Sequence, residues 1–286
     1  MTLYFGAIIT LTATLFYSLR YSFVKDLGRY SLSKAQTNFF YRLFSLIPII
    51  LLVILTGENI FGFQSDFIVW LFIALGISVA FGLLQIFILQ KQDFSLFGTL
   101  KSFSILFSTL GGLIILHETY SFKQYIGLFV IGISFLFLLI PQREKLKELL
   151  TSSGWIILYY LVEAAVYIVN KKAVGLSSPA IFTFYMTLGL IVSNLLIAFF
   201  LREKLYRVDN RKANVLLLLV GLFSALSFIG ISYGYKYLPV GIVVAISSLE
   251  AFISLWLARK KYKEENLLPK ILASIVAFAG VLLIVL

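Results

Sequence analysis

The chain has 286 residues, of which 60% are hydrophobic and only 13% charged, with a net charge of +11. A soluble domain is about 45–50% apolar and about 25% charged, so a chain with a mean hydropathy of +0.99 is matched to lipid and not to water. The absence of cysteine excludes disulfides, thiol catalysis and cysteine-based metal sites.

A helical span needs ~20 apolar residues, and that length divides the chain into ten: 3–24, 34–56, 67–90, 95–117, 121–140, 154–173, 179–201, 213–235, 239–258 and 267–286. No segment shows the alternation of barrel strands. The expected fold is therefore all-α, a polytopic membrane protein. The first span lacks a basic leader and a small-residue cleavage site and reads as retained. It carries Tyr17 and Tyr21 one turn apart, and Arg20, close enough to Lys25 to snorkel to the interface. The second span holds Arg42 near its middle and Pro48. The fourth carries Lys101, six residues past Ser95 and also able to snorkel, and continues with Ser104, Ser108 and Gly112, a four-residue spacing that lets helices approach closely. His117 and Glu118 close it. The sixth span carries Tyr159, Tyr160, Glu163 and Tyr167; the eighth has Gly230 and Gly234 among Tyr233, Tyr235 and Tyr237. In the ninth, Ser247 and Glu250 precede the basic stretch "RKKYK" at 259–263.

Most Lys and Arg residues fall in the first, third, fifth, seventh and ninth connections, in "KDLGRYSLSK", "QKQD", "PQREKLKELLTSS", "REKLYRVDNRKAN" and "RKKYKEEN". The positive-inside rule places these connections in the cytoplasm and both termini outside. It also accounts for the net charge without nucleic acid.

Sliding the chain on itself by about 146 residues aligns Lys171 with Lys25, Tyr167 with Tyr21, Thr183 with Thr37, Ser248 with Ser102 and Glu264 with Glu118. Each half, 1–142 and 143–286, then holds five spans. An odd number makes the second copy run through the membrane in the opposite sense, giving two inverted five-helix repeats. Such repeats belong to transporters whose substrate site lies near the midplane.

The stretch "SILFSTLGGLIILHETYSFKQYIGLFVIGISFLFLL" resembles the close of a repeat of the EamA family in the drug/metabolite transporter superfamily. There a helix ends in a Gly-Glu-like turn followed by a glycine-containing last helix. Glu118 and Gly127 match those positions, and Glu264 and Gly280 match them in the second half. "SLEAF" is similar to the family's Ser-Leu-Glu-Pro stretch, with Ala251 in place of proline, and Arg42 stands where an arginine is common in the second helix. The resemblance implies a ten-helix carrier of two inverted repeats. It also implies cytoplasmic termini, opposite to the charge pattern.

Arg20, Arg42, Lys101, Glu163 and Glu250 fall well inside the spans, where a charge costs about 2.5–3.5 kcal/mol on insertion scales. The basic groups belong to the first half and the acids to the second. Cations from one half and carboxylates from the other could read opposite ends of a zwitterion. The candidate substrate-binding or proton-coupling residues are Glu250, Glu163, Arg42, Lys101, Tyr17, Tyr21 and Ser247. For Arg42 and Glu163 a structural ion pair competes with lining the site, and for Glu250 helix packing does. Glu118 and Glu264, at helix ends, are expected to be structural, near the N-termini of the helices that follow. A ring set facing the site could also hold a cation.

The function expected is secondary transport of a small polar or zwitterionic metabolite, an amino acid or related compound, by alternating access across the inner (cytoplasmic) membrane, with a lipid or lipid-linked metabolite flippase as the alternative. Expected partners are the substrate, the bilayer and protons as a candidate coupling ion, with the chain a monomer or homodimer. No cofactor is implied. Neither a P-loop nor a nucleophile, base or metal constellation around the single histidine is present, so no enzymatic activity is expected.

Overall fold

In a computed structural model the described residues are 2–27, 30, 32, 34–91, 101–139, 154–203, 205, 208, 210–250 and 267–285. They form helices α1 (Thr2–Leu27), α2 (Lys34–Thr56), α3 (Phe67–Lys91), α4 (Lys101–Ile115), α5 (Phe122–Leu139), α6 (Gly154–Gly175), α7 (Pro179–Phe200), α8 (Arg211–Tyr237), α9 (Val240–Ser248) and α10 (Leu267–Val285), with no strand among the described residues. By length and composition, Thr2–Val24, Gln36–Thr56, Pro179–Phe200 and Arg211–Tyr237 can each cross a membrane, and Phe67–Gly82, Ser104–Ile115, Phe122–Ser134 and Ile275–Ile284 are shorter apolar segments. The outward faces suit lipid: Ile47, Leu51 and Ile54 on α2, Phe122 and Phe129 on α5, and Phe199 and Phe200 on α7 are all exposed.

Helix starts follow local chemistry. Ser178 accepts from the Ile181 amide at 3.2 Å, and Pro179, needing no amide partner, opens α7. Asn210 accepts from Lys212 and Ala213 at the start of α8. Ser121 and Gln124 exchange side-chain and backbone bonds in a capping box at the start of α5. Inside the helices, hydroxyls turn back on their own backbone: Thr10 donates to Gly6 O, Thr14 to Thr10 O and Ser18 to Thr14 O. Pro48 lies within α2, which continues through it.

The main packing partners are α1 with α8, α2 with α7 and α8, α3 with α6, α4 with α6 and α9, and α5 with α10; α1 also meets α9, and α3 meets α7. Phe223 of α8 packs on Phe23 and Phe16 of α1. Gly230 and Gly234 face Ala13 and Thr10 of α1, so they serve close packing there. α9 is apolar nearly all round and every residue of it is buried, as expected of a helix at the centre of a bundle. α5 and α10 meet through Gly127 and Gly280, the pair that the sequence singles out. A Cβ at Gly127 would lie 2.7 Å from Gly280 O, and one at Gly280 would lie 2.9 Å from Gly127 O.

That contact can be tested directly. Gly280→Leu should destabilise the protein by about 1–3 kcal/mol, the usual range for overpacking, and lower its melting temperature in detergent. Gly132→Leu on α5, where a Cβ meets nothing within 4 Å, should leave the melting temperature near that of the wild type.

Candidate functional site

Two polar assemblies stand out within the bundle, one at the ends of the helices and one at mid-depth.

The first forms because α9 cannot cap itself. Its N-cap is Pro239, which provides no side-chain acceptor, although the first amides of any helix need partners. Glu118, in the turn between α4 and α5, supplies them. Its carboxylate accepts from the Val240 amide at 2.9 and 3.1 Å, and the Tyr120 hydroxyl accepts from the Gly241 amide at 3.1 Å while donating to Glu118 Oε2 at 2.9 Å. Lys171, near the end of α6, pairs with Glu118 Oε1 at 2.6 Å and donates to Leu238 O at the end of α8. The side chains of Lys171 and Glu118 are 19% and 10% exposed, so this pair is largely withdrawn from solvent. Burial, and then the Glu118 carboxylate, push the Tyr120 phenol well above its ordinary range, which keeps its proton in place to donate.

Glu118 is thus at a helix N-terminus, as expected, but at that of α9 and not of the helix that follows it. The reason is that Ser121 and Gln124 already cap α5, whereas α9 has no cap of its own. The turn is tight: Glu118 N donates to Gly112 O, and His117 adopts a left-handed φ of 53°. Gly112 makes the room, because a Cβ there would come within 2.5 Å of Glu118 Oε2 and 2.8 Å of Val240. Further ties join the connections between helices. Gln64 N donates to Leu176 O, and Ser178 donates to Glu58.

The second assembly gathers most of the side chains that the sequence nominates. Arg42 lies eight residues into α2 and Glu163 nine into α6, about 12 and 14 Å along their helices, and Glu250 lies two residues past the end of α9. Arg20 does not reach for the interface. Its guanidinium lies over the rings of Tyr17 and Tyr41, 5.2 Å from each centroid, and donates to the Tyr41 hydroxyl at 3.3 Å. Arg42 joins the same group, 5.4 Å from the Tyr41 centroid. The rings of Tyr17 and Tyr41 thus face the protein's own arginines.

Beyond the arginines, Glu163 is 6% exposed and accepts from the Tyr167 hydroxyl at 3.3 Å. Its charge bears on Tyr160, Tyr167 and Tyr235, and that of Glu250 bears on Tyr167. Tyr17 joins the two groups, lying within electrostatic range of Arg42, Tyr167 and Tyr235. Glu250 is half-buried. Ser247 is 5% exposed and its hydroxyl makes no hydrogen bond among the described residues, unlike the Ser248 hydroxyl, which donates to Ala245 O. The side chains of Tyr21 and Lys101 lie outside the described residues, as do Ala251, Ser254, the basic stretch 259–263 and Glu264.

Buried polar atoms left without partners cost about 1–3 kcal/mol each. Among the described residues, Ser104 Oγ, Asn170 Oδ1, Ser224 Oγ, Ser247 Oγ and Arg42 Nε are such atoms. Sequence reading missed Asn170, although its spacing from Glu163 and Tyr167 was visible. It also gave Lys171 and Tyr120 no place at a site, because neither shows its partner until α4, α6 and α9 come together.

The model of the EamA-like transporter family matches residues 150–286. The second half of the chain is EamA-like. That half holds Glu163, Lys171, Ser247 and Glu250. A solved crystal structure, described only as that of a protein, is similar in fold, with a TM-score of 0.73 at 12% identity over 97% of this chain and 96% of that one. No curated protein matches the chain.

Glu118 and Lys171 should be energetically coupled. Glu118→Ala or Lys171→Ala alone leaves a buried charge unpaired and should destabilise the protein by about 3–5 kcal/mol. The double variant should lose clearly less than the sum of the two, and a double-mutant cycle on melting or denaturant unfolding measures the difference.

Proposed function

We propose that the chain is a ten-span secondary active transporter, built as two inverted five-helix repeats (1–142 and 143–286), that carries a small zwitterionic metabolite such as an amino acid by alternating access. The observation that carries this reading is the bipolar mid-depth assembly. Arg20, from α1, lies over the Tyr17 ring, and Arg42, from α2, is within electrostatic range of it. Glu163 and Tyr17 both act on Tyr167 and Tyr235, and Glu250 acts on Tyr167. Arginine recognises a carboxylate through its forked donors, and a carboxylate at mid-depth offers acceptors to an ammonium. Tyrosine hydroxyls between them can hydrogen-bond to either end.

The helix pairings support the repeat. Replacing each helix by the one five places along the chain turns α1–α8 into α6–α3, α4–α6 into α9–α1 and α2–α8 into α7–α3, all of which are packed pairs. The pairs α2–α7, α4–α9 and α5–α10 turn into themselves. Two copies related in this way give two near-equivalent arrangements around one central site, which is what alternating access requires. Glu250 and Glu163 are the carboxyls that a coupling proton would use.

Uptake of a labelled amino-acid panel into proteoliposomes tests the proposal. Wild-type protein should accumulate one or more amino acids. Arg42→Gln, and Glu163→Gln with Glu250→Gln together, should each reduce that flux by about tenfold or more, since a lost hydrogen bond to a charge is worth about 1.5–3 kcal/mol. Undiminished flux in the double glutamine variant would remove the carboxylates from the site. Lipid scrambling in the same vesicles, with no amino-acid flux, would favour a flippase.

A further inference from the structure

The amide of Asn170 is a polar group that neither the helix cap nor the ion pairs absorb. Asn170 is 6% exposed, and its Oδ1 is buried without a hydrogen bond among the described residues. Elsewhere in the bundle the same difficulty is solved on the spot: Asn194 donates to Leu190 O at 2.7 Å, and Ser193 to Gly189 O at 2.8 Å. The Lys171 ammonium, on the next residue of α6, spends two of its three N–H donors on Glu118 and Leu238 O, and none of its bonds reaches Asn170 Oδ1 among the described residues.

Position gives the orphaned oxygen a use. Glu163, Tyr167 and Asn170 follow one another at steps of four and three, so they share one face of α6. Side chains on a helix lean toward its N-terminus, so Asn170 leans toward the turn that carries Tyr167, and Glu163 lies two turns, about 10 Å, back along the same face. A carbonyl oxygen can only accept, so its missing partner is a donor. An ammonium group carries three N–H donors and has bonds to spare after meeting one carboxylate.

Resting on the zwitterion reading above, we propose that the Asn170 side-chain carbonyl is a specificity-determining acceptor for the ammonium end of the substrate, on the face of α6 that also carries Glu163. The orphan is then a preformed half of a hydrogen bond that the substrate completes. Asn170 thereby favours substrates bearing an α-ammonium over those of the same shape without it.

The test is thermal stabilisation of the purified full chain by the twenty common L-amino acids, each compared with the carboxylic acid that lacks its α-amino group. A ligand that binds the native state raises the melting temperature. For the wild type, at least one amino acid should stabilise more than its des-amino counterpart. Asn170→Leu should melt, unliganded, at the wild-type temperature or higher, because it removes an unsatisfied buried atom. It should bind that amino acid about tenfold more weakly and the des-amino acid unchanged. Asn170→Asp, which retains an acceptor, should keep the preference for the ammonium. An unchanged amino-acid response in Asn170→Leu overturns the assignment. So does a lower unliganded melting temperature for Asn170→Leu combined with equal loss of response in Asn170→Asp, which makes the residue a packing element. A wild type stabilised by no amino acid overturns the zwitterion reading and this one with it, whereas the first two outcomes leave the zwitterion reading standing.

Discussion

Lipid offers no hydrogen bonds, and this one constraint governs where each polar group of the chain ends up. The backbone answers it by being helical. Along α1, Thr10, Thr14 and Ser18 answer it by bonding to the carbonyl four residues back. The start of α9 can follow neither route, because its first amides have no carbonyl a turn earlier and Pro239 before them has no side-chain acceptor. A carboxylate from another part of the chain must come to it. Glu118, Tyr120 and Lys171 are brought together by that need, and with them α4, α6, α8 and α9.

The same constraint separates the polar groups that serve folding from those of the candidate site. Where a polar group is satisfied within its own helix or by a cap, it tells of folding alone. Where it remains unsatisfied, or where several ionisable groups converge, the energy has to be recovered elsewhere. The convergence of Arg20, Arg42, Glu163 and Glu250 around Tyr17 and Tyr167 is of the second kind. Charges of both signs reach the middle of the bundle, and tyrosine rings and hydroxyls take part on each side: Tyr41 with the arginines, Tyr167 with Glu163.

The sequence carries the helices, their order and the ionisable groups inside them, because apolar runs of membrane length and costly intramembrane charges are local signals. Gly127 and Gly280 were also legible, through a resemblance that the close approach of α5 and α10 explains. What depends on which helices touch was not. Arg20 looked able to reach the interface, and only the neighbouring α2 shows that Tyr41 draws it inward. Glu118 looked attached to the helix that follows it, and its partner amide lies 122 residues along the chain. Asn170 was hidden for a different reason: beside Lys171 and Lys172 it reads as the polar end of an apolar run, and only the packed helices leave its oxygen unmatched.

The meeting of Gly127 with Gly280 carries a consequence for how this chain can vary. Each glycine is pressed against the other's carbonyl, so the two positions describe a single gap between α5 and α10. A methyl group at either one forces the helices apart, and once they are apart a second methyl finds space already made. The effects of substitutions at the two sites should therefore fall short of their sum. The two halves of the chain are bound at this point in their evolution as well as in their packing, since neither can change there without altering what the other is able to accept.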